Sequence, residues 1–102
     1  MKKDNPDLKQ IGTLLRKARE QAGLTQEQIA NRANLSRPRY REIEAGESAA
    51  RATTLMNIAR ALGLEIMFIP QAVVPAVQAM MRPYDDDRPA FSPDPVEEEQ
   101  EA

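Results

Sequence analysis

The sequence predicts an all-α domain of four to five short helices over residues 7–69, with one extended segment at its C-terminal edge, followed by a Pro-rich acidic tail over 70–102. Three observations predict this. Apolar residues recur at three- and four-residue spacing in successive stretches, most of them bounded by a capping residue in front and by Gly or Asn behind. One run breaks that period: residues 64–69, LEIMFI, are rich in β-branched and aromatic side chains and are closed by Pro70. From Pro70 onward lie six of the eight prolines and two acidic runs, at 85–87 and 97–99.

The first helix follows from Asn5-Pro6-Asp7, where Asn offers a cap and Pro sits in the first turn, whose N–H has no intrahelical partner to lose. Its stripe is Leu8, Ile11, Leu15, Ala18 and Ala22, Leu14 is read as core together with Leu15, and Gly23 ends it. Gly12 inside the pattern slightly weakens the helix reading and would permit close approach of another backbone. Thr25 caps the second helix and Gln26 and Glu27 suit its first turn. Ile29 and Ala33 share a face, beside an Ala30 small enough for a close helix crossing. Asn34 tolerates the left-handed conformation, so a tight turn follows, plugged by Leu35. Ser36 caps the third helix, Pro38 falls in its first turn, and the helix runs from about 37 to 45 with Gly46 as its stop. Tyr40 and Ile43 face inward, which turns Arg37, Arg39 and Arg41 outward, and Glu44 is placed to pair with Arg19 between helices. A fourth helix carries Leu55, Ile58, Ala59 and Leu62 at i, i+3, i+4 and i+7; Ser48 or Thr53 caps it and Gly63 ends it.

Composition narrows the function. A chain of 102 residues supports one domain with a small core. It has no cysteine and no histidine, which removes disulfides, thiolate metal sites, the commonest general base and the commonest zinc ligand. Enzymatic chemistry and cofactors are therefore not expected. The acidic runs lack the glycine turn of a calcium loop. There is no apolar run of membrane-spanning length, and the start, MKKDNPDL, has no apolar segment behind its charges; neither a membrane span nor a signal peptide is expected, and the chain reads as cytoplasmic. The net charge of −2 divides unevenly: residues 1–69 hold 12 Lys and Arg against 8 Asp and Glu, and residues 70–102 hold 2 against 8. A basic domain is joined to an acidic tail, and the basic part is what suits a phosphate backbone.

Two short helices separated by four residues, the second opening with arginines at 37, 39 and 41, read as a helix-turn-helix unit that recognises duplex DNA. Residues 11 to 69 resemble the Cro/C1-type (Xre) helix-turn-helix domain through Gly23-Leu24-Thr25-Gln26, Ala30, Asn34-Leu35-Ser36 and Glu44-Ala45-Gly46. Asn34 stands where that family more often has Gly, and Tyr40 where it more often has Ile or Val. The resemblance implies that Gln26 holds a phosphate or braces the recognition helix, and that Ser36, Arg37, Pro38, Arg39, Arg41 and Glu42 occupy DNA-facing positions. A carboxylate near phosphates is repelled unless it accepts from a cytosine amino group, so a structural role is favoured for Glu42. The competing reading of the arginines is an ordinary solvated face. Arg51, Lys9 and the terminal Lys2 and Lys3 are further candidates for backbone phosphates.

The segment Leu64, Glu65, Ile66, Met67, Phe68 and Ile69 predicts a lone strand, and an unpaired apolar edge is sticky. Pairing with its own copy across a two-fold axis solves this. It gives a homodimer that presents two recognition helices to a palindromic operator. The alternative is a tail buried on its own core. Such a strand is similar to that of HipB-like antitoxins, which implies a DNA-bound dimer that holds a HipA-like kinase toxin and represses its own operon. A solitary Xre-type regulator, or an interaction adaptor working through strand and tail, are the alternatives. In the tail, residues 75–81 predict one or two amphipathic turns using Val77, Met80 and Met81, with the remainder disordered, and Tyr84 and Phe91 are candidate anchors for a partner.

Overall fold

The computed structural model describes residues 5–85, with side chains described through Arg82. The order is α1 (Pro6–Ala22), α2 (Gln26–Arg32), α3 (Arg37–Glu44), α4 (Ala52–Ala61), a single 3-10 turn (Gln71–Val73) and α5 (Val74–Asp85). The chain divides into two compact units, Met1–Met67 and Phe68–Ala102. No strand occurs among the described residues, and none of their helices is long and apolar enough to cross a membrane.

In the first unit each helix starts and stops by a local device. The Asn5 side chain accepts from the N–H groups of Asp7 and Leu8 at 2.9 and 3.2 Å, satisfying two first-turn donors of α1. Thr25 and Gln28 form a reciprocal capping box at α2: the Thr25 hydroxyl accepts the Gln28 N–H at 3.0 Å, and the Gln28 side chain accepts the Thr25 N–H at 2.9 Å. Asn34 takes φ 64°, as the turn requires, and the Leu35 N–H bonds the Ala30 carbonyl at 2.8 Å. The Ser36 hydroxyl accepts from the Arg39 N–H at 3.2 Å to open α3.

Packing then orients the helices. Ile29, Tyr40 and Ile58 are fully buried, joined by Leu15, Ala30, Ala33, Ile43 and Leu62. Each large side chain so enclosed contributes about 1.5–3 kcal/mol relative to exposure. Leu14 departs from expectation and is 57% exposed. It lies one residue, about 100° of helix rotation, off the stripe through Ile11, Leu15 and Ala18. Ala22, expected on the same stripe, is exposed as well. Gly12 is buried where α1 crosses the end of α3. A Cβ there would stand 2.1 Å from the Glu44 carbonyl oxygen, so only hydrogen permits the crossing. Gly46, at φ 75°, closes on the other side, its Cβ position 2.9 Å from Lys9 Cα.

Two further expectations are corrected. The N-cap of α4 is Arg51, with no side-chain cap, in place of Ser48 or Thr53. The Ser48 hydroxyl is taken by Arg39 at 2.6 Å, and Thr53 already lies inside the first turn. In the second unit α5 runs through residue 85, past the one or two turns expected at 75–81. Pro75 is tolerated in its first turn, and Ala76, Gln78, Ala79, Met80, Met81 and Arg82 are good helix formers. The Tyr84 side chain, Phe91, the acidic run at 97–99, Lys2 and Lys3 lie outside the described residues.

Residues 64–70 are in neither helix nor strand. The Leu64 N–H still bonds the Ala59 carbonyl at 2.7 Å, but Leu64, Ile66, Met67 and Phe68 are exposed, Phe68 by 96%. Leu64, Ile66 and Met67 are thus left uncovered within the first unit, and a ladder would need a second strand that the described residues do not contain.

Gly12→Ala is expected to destabilise the domain by at least about 1–3 kcal/mol, because backbone, and not a flexible side chain, opposes the added methyl. Urea unfolding followed by circular dichroism measures this, with Thr13→Ala on the exposed face of the same helix as control.

Candidate nucleic-acid interface

The buried side of α3 is fixed by Tyr40, Ile43 and Glu44, and the opposite side carries Ser36, Arg37, Pro38, Arg41 and Glu42 in solvent. Arg37 and Arg41 are four residues apart and share a face; neither is engaged by another described residue. Two guanidinium forks, ten N–H donors together, are therefore available to phosphate or to base edges. Arg39, expected outward with them, is half-buried. It turns toward the α3–α4 loop, donating to the Ser48 hydroxyl at 2.6 Å and the Ala49 carbonyl at 2.8 Å, with Glu42 at 3.7 Å.

Behind this face stands a polar node at Glu44. Arg19 of α1 grips its carboxylate with two nitrogens, at 2.8 and 3.0 Å, and uses a third on the Leu24 carbonyl at 2.9 Å. Gln26, the first residue of α2, donates its amide to the same carboxylate at 3.0 Å. Gln26 therefore braces α3, one of its two expected roles, and Glu44 pairs with Arg19 as its position suggested. Burial by itself would raise the Glu44 carboxyl, but hydrogen bonds from Arg19 and Gln26, with the nearby Tyr40 hydroxyl, outweigh it and hold the group below the ordinary glutamate value. The same hydrogen bond raises the Arg19 guanidinium. Burial, and then the adjacent carboxylate, push the Tyr40 hydroxyl well up. That hydroxyl is buried without a hydrogen-bond partner.

Beside the node an open depression of about 520 Å³ is lined by Thr25, Gln26, Glu27, Arg19 and Arg37 among others. It sets the start of α2 next to the exposed Arg37 side chain. Of the further basic candidates, Lys9 is exposed on α1 and Arg51 is exposed at the start of α4. Among the described residues no cluster of acidic side chains could hold a metal ion. Sequence reasoning missed the partners of Arg39. Ser48 and Ala49 lie nine and ten residues away in a loop, and no periodicity links them to α3.

The Glu44 node gives stability a defined pH dependence. Its folded pKa is lowered, so its contribution is full above the unfolded value and is lost as pH falls through the folded one. Glu44→Gln is expected to cost about 2–3 kcal/mol at neutral pH. That gap should begin to narrow as pH falls below the ordinary value of 4.5 and close only past the lower folded value, where the wild-type carboxyl itself becomes neutral. Denaturant titrations of both proteins from pH 7 to pH 3 check this.

Residues 15–69 match the helix-turn-helix family. The chain is 33% identical over 67 residues to an uncharacterised HTH-type transcriptional regulator, y4dL, of Sinorhizobium fredii; the match covers 66% of this chain and 34% of that protein. It thus spans about a third of that relative's length. The crystal structure of the restriction-modification controller protein C.AhdI from Aeromonas hydrophila superposes with a TM-score of 0.58 at 31% identity, covering 60% of this chain and 92% of the controller. With the capped α2, the Asn34 turn and the Ser36-initiated α3 all within the matched residues, the chain belongs to the helix-turn-helix family of Cro/C1 (Xre) type.

Proposed function

We propose that this protein is a sequence-specific DNA-binding transcriptional repressor that inserts α3 into the major groove. The observation that carries the reading is the division of α3: Tyr40, Ile43 and Glu44 are fastened to the core while Arg37 and Arg41 stand in solvent on the opposite side. A helix held rigidly from behind and studded with unengaged guanidinium groups in front is what major-groove readout requires. The open depression beside Arg37, at the start of α2, supports it as a place for a backbone phosphate at the groove edge. The regulator y4dL and the controller protein are relatives consistent with such a role.

The working unit in this proposal is a homodimer in which residues 64–69 pair with their own copy, delivering two copies of α3 to a palindromic operator. The exposed Leu64, Ile66, Met67 and Phe68 support it, since unpaired extended backbone with apolar side chains gains most from a second strand. A narrower role is the antitoxin of a HipBA-like pair, binding a HipA-like kinase toxin and repressing its own operon. It rests on the LEIMFIP segment that follows the last helix of the first unit. Co-purification with a kinase-like protein encoded beside it tests that role directly.

Binding to the duplex upstream of its own coding sequence should weaken steeply as salt rises, because arginine–phosphate contacts release counterions. An adaptor acting through apolar contacts would show little such dependence. In fluorescence anisotropy, Arg37→Ala is expected to lose about 1–3 kcal/mol of operator affinity and to relax base preference. A salt-insensitive affinity, unchanged by that substitution, overturns the repressor reading.

Phe68→Asp tests the dimer. The side chain is 96% exposed within one chain, so the substitution should leave thermal unfolding of the single chain unchanged. Sedimentation equilibrium should instead show a shift from dimer to monomer at micromolar concentration. A wild-type protein that sediments as a monomer removes the strand pairing.

A further inference from the structure

We propose that Arg39 is a positioning residue that latches the α3–α4 loop, so that its contribution to DNA affinity runs through the loop and not through contact with bases. The inference rests on the reading of α3 as the DNA-facing helix, and it divides the three arginines of that helix into two that read and one that builds.

Three observations carry it. The Arg39 guanidinium spends one terminal nitrogen on the Ser48 hydroxyl at 2.6 Å and the other on the Ala49 carbonyl at 2.8 Å, with Glu42 at 3.7 Å. A fork committed to two loop groups is not presented to a base edge, which needs both nitrogens in one plane.

The loop itself has little else to fix its second half. Its first residues are held by backbone bonds, Gly46 N–H to the Ile43 carbonyl at 3.0 Å and Glu47 N–H to the Glu42 carbonyl at 2.9 Å, and by the close contact of Gly46 with Lys9. Beyond them, Ala49 and Ala50 have short side chains, and Arg51 starts α4 without a side-chain cap.

Beneath that half lies a mainly apolar cavity of about 90 Å³, bounded by Leu8, Ile11, Ile43 and Leu55 on the core side and by Ser48, Ala49 and Ala50 on the loop side. Ala50 meets the core by a single methyl and Ala49 is exposed, so side-chain packing alone does not determine the loop's height above the core. The Arg39 fork does. What the loop carries toward solvent is Arg51, and a loop that sags or lifts moves that cation relative to Arg37 and Arg41.

The experiment has two arms. In the DNA-free full-length protein, 15N relaxation of the amides of residues 48 to 51 should show increased mobility in both Arg39→Ala and Ser48→Ala. Arg39→Lys should restore order only in part, since an ammonium has no planar fork. In the second arm, the duplex recovered by selection from a random-sequence pool, and single-base variants of it, are titrated with each protein. Arg39→Ala and Ser48→Ala should weaken all duplexes by a similar factor, about three- to tenfold, and the double variant should lose no more than Arg39→Ala alone. Arg37→Ala, by contrast, should flatten the differences among duplexes. The latch is overturned if Arg39→Ala flattens base preference while Ser48→Ala has no effect, or if the loop amides stay as ordered as in the wild type. If no duplex is bound in a salt-dependent way, the DNA reading fails, and the relaxation arm alone still decides whether Arg39 holds the loop.

Discussion

The buried carboxylate of Glu44 is the constraint on which the rest of the first unit depends. It sits at the end of α3, yet its hydrogen-bond donors come from elsewhere: Arg19 from α1 and Gln26 from the first turn of α2. One side chain thus ties three helices at a single point. An ion pair enclosed this way adds little net stability over a well-packed apolar substitute, because both charges lose their hydration. What it adds is direction. Apolar faces slide over one another at small cost, whereas a forked guanidinium on a carboxylate has one good geometry. The contact of Gly12 with the Glu44 carbonyl is the matching steric stop, so α3 is fixed in rotation by the node and in height by the glycine.

That fixing matters because α3 spans only Arg37–Glu44, a little over two turns. Such a segment has no helical stability of its own in water, where nucleation outweighs the few hydrogen bonds gained. Its existence and its orientation both come from tertiary contacts, and the exposed guanidinium groups inherit the orientation. Gln26 shows the same economy. Its amide is committed to Glu44, so its effect on anything bound at the solvent face is exerted through the angle of α3.

Much of the first unit was legible in the sequence because its signals are local. Thr25, Asn34, Ser36 and Gly46 act within four residues of themselves, and caps and left-handed stops follow from that chemistry whatever surrounds them, although the reciprocal bond from Gln28 was not read. Gly12 was legible as a close approach, but not its partner, since the Glu44 carbonyl is brought there by the whole fold. The Arg19–Glu44 pairing was readable from position, and the third participant, Gln26, only as one of two roles. The partners of Arg39 were not legible for a definable reason. Helical phase puts it on the rim between the buried and open faces, and a long side chain on a rim goes wherever donors are wanted. The demand came from Ser48 and Ala49, in a loop whose path no period encodes. Leu14 failed on the same axis, since adjacency to Leu15 suggested a core role that a 100° rotation denies it. The length of α5 was missed because a Pro-rich, acidic composition was read as disorder beyond residue 81, although Pro75 sits where a helix tolerates one.

Tyr40 shows how the family pattern and this chain's own chemistry are reconciled. Where the resemblance anticipates an aliphatic side chain, a phenol fills the space between α3 and the core completely. Its ring gains a large apolar burial, while its hydroxyl is left without a hydrogen-bond partner. An enclosed hydroxyl in that condition forfeits about 1–3 kcal/mol. The loss is tolerable only because the adjacent charge is already neutralised by Arg19, which keeps the site from being a bare anion facing a dipole. Remove the guanidinium, and the carboxylate keeps only the Gln26 donor, beside a phenol that already lacks a partner. The node and the aromatic core are therefore one cooperative element, and the residue that secures both, Arg19, lies on α1, two helices before the face it stabilises.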